Sequence, residues 1–212
     1  SGRFILNKRY NLFQEKIKNN KSVNPWELAI DVLGFSIPNQ NIFPKKRNKK
    51  GLLIIANHTY GLPDGIILGW IASKLDKDFK VISNNVLRQE PSMNENILPI
   101  DFGLSRKSKL INIQSRKEAI EHLKSGGVVA IFPAGAVAWA RKIGEPAIDT
   151  NWKPFAGRLI KSSSCDVLPV KFQGQNSTIF QVASRIWNNK ENVSIGLTLR
   201  LSLFVSEIRK VL

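Results

Sequence analysis

The chain has 212 residues, 42% of them hydrophobic and five of them tryptophan, which suits one folded domain with a real core and excludes a disordered tail. Thirty-two Lys and Arg against sixteen Asp and Glu leave a formal charge of +16, which predicts attraction to a polyanion: an anionic membrane surface, a nucleic acid or an acidic protein. The single cysteine, Cys165, excludes an internal disulfide and a thiolate metal site, and the longest uncharged stretch near span length, 126–140, is broken by Pro133, so no transmembrane helix is expected there.

In chain order, the opening SGRF has no signal-peptide pattern, and Ser1 with Gly2 reads as a cloning remnant. Leu6, Tyr10, Phe13 and Ile17 then recur at helical spacing, with Lys8, Arg9, Lys16 and Lys18 on other faces. They predict a basic amphipathic helix that either lies on anionic lipid or packs its apolar stripe on the core. Asn24 before Pro25 reads as an N-cap followed by the first helical residue, and Trp26, Ile30 and Leu33 continue a second stripe. Residues 1–36 are thus an N-terminal helical region within a single domain spanning 1–212.

After the basic loop Lys45–Lys50 come four short apolar runs: LLIIA at 52–56, FKVIS at 79–83, VVAIF at 128–132 and VLPVKF at 167–172. Helical patterns over Gly65–Leu75, Ile111–Lys124 and Phe155–Ser163 separate them. This alternation predicts an α/β fold, a mixed and largely parallel sheet flanked by helices. A last amphipathic segment, Ser194–Leu212, reads as a C-terminal helix beyond which the natural chain is expected to continue.

The stretch ANHTYGLPDG at 56–65 carries the chemistry. In an extended strand His58 and Asp64 would stand roughly 20 Å apart, at about 3.3 Å per residue. In a regular helix they would be about 9 Å apart along the axis and about 600° apart around it. Only a chain that folds back lets the two side chains meet, and Gly61 with Pro63 supplies that turn. LLIIA puts His58 at a strand end and Asp64 at a helix start, where ligands bind in open α/β sheets. A carboxylate on one ring nitrogen fixes the tautomer and leaves the other nitrogen to accept a proton, which is a general-base dyad. The alternative is a surface-turn histidine and a helix-capping aspartate. The second histidine, His122, lies near the C-terminal end of the 111–124 helix and reads as structural.

Three blocks in order resemble the glycerolipid acyltransferase superfamily, in its bacterial branch of hemolysin-type and ornithine-lipid enzymes with a His-x5-Asp first block. They are NHTYGLPDG at 57–65, AIFPAGAVAWAR at 130–141 and VLPVKFQGQNS at 167–177, and the resemblance covers about 25–190. It implies transfer of a fatty acyl group from an acyl-CoA or acyl-carrier-protein thioester to a lyso-lipid hydroxyl, lyso-aminolipids included. His58 would be the base and Asp64 its orienting partner, with no metal and no cofactor beyond the co-substrate. Phe132, Pro133 and Gly135 of the third block, Asn176 of the fourth, Arg106 in GLSRKSK and Arg141 are the implied substrate-binding residues, and backbone amides near the third block the implied oxyanion donors. Asn176 or Ser177 would also cap a following helix. Many relatives carry a glutamate after the proline or the glycine of the third block, where this chain has Ala134 and Ala136. That departure leaves the acceptor headgroup open and raises the alternative of an inactive lipid-binding relative. The resemblance further implies a peripheral protein on the cytoplasmic face of the inner membrane, with an anionic membrane surface, a lyso-lipid and an acyl-carrier protein as partners. A basic nucleic-acid-binding domain is the remaining alternative, without a zinc-ligand spacing or an RNP-like motif to support it.

Overall fold

The computed structural model describes residues 2–20, 22–37, 50–84, 88, 90–142, 144–178 and 181–182, with side chains from residue 7 onward. The expected loop at 45–49 and the expected helix at 194–212 lie outside the described residues. Two helices come first, α1 (Gly2–Asn19) and α2 (Pro25–Leu33). The elements β1 (Leu52–Ala56), α3 (Leu62–Leu75), β2 (Phe79–Asn84), β3 (Ile97–Ile100), α4 (Arg106–Lys124), β4 (Val128–Ile131), α5 (Phe155–Ser163) and β5 (Asp166–Val170) follow.

The five strands form one sheet in the order β3-β2-β4-β1-β5, and every pairing is parallel. Strand β1 sits between β4 and β5, with Leu53 opposite both Val129 and Val167. The period of two divides the strand residues between two cores. Leu52, Ile54, Ala56, Val128 and Ala130 face Trp26, Leu68 and Trp70 of α2 and α3, while Leu53, Val129 and Ile131 face Ala119, Leu123 and Leu159 of α4 and α5. Cys165 is buried in the second core.

The N-terminal helices pack on the first core. Asn24 caps α2 by accepting the Trp26 and Glu27 amides at 3.0 and 3.4 Å, as the Asn-Pro pair predicts. Trp26 then lies against Gly69 of α3, where a Cβ would overlap its ring. In α1, Phe13 is buried and Ile17 packs against the core, so that part of the predicted stripe turns inward; the Leu6 side chain is outside the described residues. His122 bonds the Asp78 carbonyl through Nε2 at 3.1 Å, which joins α4 to the start of β2.

The sequence reading misses β3 and starts α4 five residues late. Pro99 in β3 and Pro169 in β5 both lie on edge strands, where a missing N–H is tolerated. Phe132, Lys171 and Phe172, read as strand ends, lie just past β4 and β5, in the loops that build the site.

Candidate active site

The carboxyl ends of β4, β1 and β5 are neighbours, so the loops leaving them meet. The loop after β1 carries His58 and turns at Gly61, whose φ of 90° and ψ of −119° suit a residue without a Cβ. Gly61 caps α3, Pro63 lies in its first turn, and Asp64 at the third position reaches back to the cap.

Asp64 is fully buried, and its Oδ2 accepts three N–H groups: Tyr60 at 2.6 Å, Gly61 at 3.2 Å and His58 Nδ1 at 3.1 Å. A carboxylate oxygen already facing two amide donors can only accept from the ring, so the His58 proton sits on Nδ1. Nε2 therefore presents a lone pair, and it bonds no described residue. The imidazole keeps 17% of its side-chain surface exposed, enough for a reactant to approach. Asp64 Oδ1 is buried without a partner among the described residues.

Because β4 flanks β1, Phe132 comes to stack on the His58 ring, with centroids 4.0 Å apart and planes 17° apart. Phe172, just past β5, tilts against Phe132 at 6.3 Å. Asn57 continues the strand pairing with its side chain, donating Nδ2 to the Phe172 carbonyl at 2.9 Å and accepting the Phe172 amide at 2.8 Å. Tyr60 reaches the Gln173 carbonyl at 3.0 Å, and burial, followed by the nearby Asp64 charge, raises its phenol above the ordinary 10.0. Asn176 is buried and donates to the Thr59 carbonyl at 3.0 Å, so it braces the His58 loop; its Oδ1 has no partner among the described residues.

The third-block loop closes the other side. Pro133 is buried and its carbonyl accepts the Lys153 amide at 3.0 Å, while Gly135 has a φ of 70°. The Ala138 amide donates to the His58 carbonyl at 2.6 Å. Asp149, which no local motif marks, accepts the His58 amide at 3.0 Å on Oδ1 and the Trp152 indole N–H at 3.0 Å on Oδ2. Asp149, Arg141, Lys153, Trp139, Ile148 and Thr150 line a cavity of about 400 Å³. Among the described residues no cluster of His, Cys, Asp and Glu could hold a metal ion.

The acyltransferase family model matches residues 36–173, about two thirds of the chain and the part that builds the site. The chain belongs to the acyltransferase family. Among characterised members it is 26% identical over 172 residues to the lyso-glycine lipid O-acyltransferase of Phocaeicola vulgatus, an alignment covering 80% of this chain and 58% of that protein. The chain thus spans well under two thirds of that relative's length.

Within this acyltransferase domain, the structure brings His58, Asp64, Phe132 and Asn176 into one network, with Arg141 on the adjoining cavity and Pro133 buried next to Phe132. Gly135 lies beside Lys153. Arg106 is exposed at the start of α4, and it makes no hydrogen bond or ion pair with His58 or Asp64. Ala134 is buried and its carbonyl accepts the Thr150 hydroxyl at 3.3 Å; besides Asp64, the carboxylate against the His58 loop is that of Asp149, on the His58 main-chain amide.

Proposed function

We propose that this domain moves a fatty acyl group from an acyl thioester, acyl-CoA or acyl-carrier protein, to the hydroxyl of a lyso-lipid at a membrane surface, by His58/Asp64 general-base catalysis. The observation that carries the reading is the 3.1 Å contact between His58 Nδ1 and Asp64 Oδ2, inside a domain of the acyltransferase family.

In this mechanism His58 Nε2 takes the proton of the acceptor hydroxyl as its oxygen attacks the thioester carbonyl. Asp64 stabilises the imidazolium that forms, and its two amide bonds keep it from following the ring. The tetrahedral oxyanion collapses to an ester and expels a thiolate, which takes the proton back from His58. Within the third block the amides of Gly135, Ala138 and Trp139 are engaged by the carbonyls of Phe132, His58 and Ile148. The amides of Ala134, Ala136 and Val137 are the candidates for the oxyanion, the role the sequence reading gave to this loop.

The acceptor is proposed to be a lyso-aminolipid; the Phocaeicola vulgatus relative is named for a lyso-glycine lipid. Arg141 and Lys153 on the cavity suit the carboxylate such a headgroup carries. Among the described residues no helix is long and apolar enough to cross a membrane, and a formal charge of +16 suits peripheral attachment to anionic lipid, proposed to be at the cytoplasmic face of the inner membrane.

Incubation with labelled acyl-CoA or acyl-carrier protein and a panel of lyso-lipids, read by mass spectrometry, tests the proposal. A new O-acylated aminolipid is expected. No acylated product from any lyso-lipid with either donor would refute it.

A further inference from the structure

Nine large hydrophobic side chains stay exposed among the described residues, and six of them fall in two short segments, Phe102, Leu104, Leu110 and Ile113 in one, Ile148 and Trp152 in the other. The first segment is the β3–α4 loop with the outer face of α4. Leu104 is 93% exposed, Leu110 58% and Ile113 53%. Arg106, Leu110, Ile113 and Lys117 follow i, i+4, i+7, i+11 spacing and so share one face of α4, opposite the buried Ser108, Ser115 and Ala119.

Charge distinguishes this face from a chance cluster of apolar residues. From 102 to 117 there are five cations, Arg106, Lys107, Lys109, Arg116 and Lys117, and no carboxylate; only Lys117, at the far end, pairs with a carboxylate among the described residues, Glu121 at 3.9 Å. The carboxylate that precedes the segment, Asp101, is engaged at Oδ1 by the Gly103 amide at 2.8 Å. The face also reaches the site. Phe102 carries Lys153 Nζ over its ring at 4.9 Å, and Lys153 lines a cavity together with Asp149, whose Oδ1 accepts the His58 main-chain amide.

Helix α1 is built differently. Phe13 and Ile17 turn into the core, and the Tyr10 hydroxyl is held by Glu90 at 3.1 Å.

We infer that the β3–α4 loop and the outer face of α4 are the surface by which this protein sits on an anionic bilayer. Leu104, Leu110 and Ile113 enter the boundary between headgroups and acyl chains, and Arg106, Lys107 and Lys109 meet lipid phosphates. The placement gives a lyso-lipid a short path: its tail stays in the bilayer while its headgroup passes Phe102 and Lys153 toward His58. This inference deepens the lipid acyl-transfer reading and rests on it for its purpose, but vesicle binding is measured without turnover, so the two can fail separately.

The experiment is vesicle sedimentation of the full chain with phosphatidylcholine alone or mixed with phosphatidylglycerol, run beside acyl transfer to a short-chain acceptor free in solution. Wild type is expected to bind the anionic vesicles about tenfold or more tightly than the neutral ones, and the Leu104→Glu/Ile113→Glu double variant to lose about tenfold or more of that binding. Both positions are exposed, so the fold and transfer to the free acceptor should stay within about twofold of wild type, as should vesicle binding by the α1 control Leu12→Glu. Wild-type indifference to anionic vesicles would overturn the inference, as would undiminished binding by the double variant or a loss confined to an acidic acyl-carrier protein. Loss of vesicle binding in a preparation that transfers no acyl group would support the face and overturn the catalytic reading alone.

Discussion

Replacing Asp64 separates its structural work from its chemical work. Oδ2 accepts the Tyr60 and Gly61 amides and the His58 ring from a fully buried position. At roughly 1.5–3 kcal/mol for each hydrogen bond to a charged group, Asp64→Ala removes at most about 3–6 kcal/mol from the two amide bonds. Water entering the truncated site recovers part of this, so a net destabilisation of about 2–4 kcal/mol is expected. Asp64→Asn keeps an oxygen for both amides but makes those bonds neutral and puts an NH2 where Oδ1 was, so it should lose about 1–2 kcal/mol, less than Asp64→Ala. Activity should not follow that order. Without the carboxylate the imidazolium loses its counter-charge, and kcat of Asp64→Asn should fall on the order of 100-fold to 10,000-fold although the protein is folded. Denaturant unfolding gives the first pair of numbers and acyl transfer under saturating donor the second. Asp64→Asn working within roughly threefold of wild type would refute the argument that this carboxylate serves the reaction.

Asp149→Ala should lower kcat roughly tenfold with KM little changed, because the His58 main chain loses an anchor, and Asp149→Asn should recover most of the rate by restoring an acceptor for that amide; steady-state kinetics on the two variants would expose a purely structural role if kcat and KM moved together. Gly69→Ala should destabilise by about 1–3 kcal/mol, since the new methyl overlaps the Trp26 ring, and an unchanged thermal midpoint would contradict this close packing of α2 on α3. Both tyrosines of the chain have raised phenols, Tyr10 chiefly through burial and then its bond to Glu90, Tyr60 chiefly through burial and then Asp64. The folded state therefore favours the protonated phenols: their contribution is fully present below pH 10, the ordinary value, and is lost as pH rises through the raised folded values. Tyrosinate absorbance of the folded protein should appear only above pH 10, and a midpoint at or below it would contradict both environments.

Much of this architecture is legible in the chain because its signals are local. LLIIA reads as a strand from five consecutive residues, and the Asn24-Pro25 start of α2 needs only its own capping chemistry. The dyad is legible for a related reason: only a fold-back at Gly61 lets His58 and Asp64 meet, so their spacing carries the geometry. Strand β3 was hidden because ILPI is only four residues long and is held by parallel pairing to β2, a property of the assembled sheet. The first turn of α4 was hidden because Arg106, Lys107 and Lys109 have no apolar periodicity, and only the Ser105 side chain, accepting the Ser108 amide at 3.0 Å, marks the start. Asp149 left no trace at all, being 91 residues from its partner His58 in sequence and joined to it by the folding of two loops. The stacking of Phe132 on His58 likewise follows from β4 lying beside β1, which the order of strands in the chain does not dictate.

The central claim is that His58 takes the acceptor's proton. Its most direct test is the rate of labelled acyl transfer to a lyso-lipid by His58→Ala beside wild type at equal folded concentration. A fall to the uncatalysed background in a variant that unfolds cooperatively is predicted, and full activity in that variant would contradict the account.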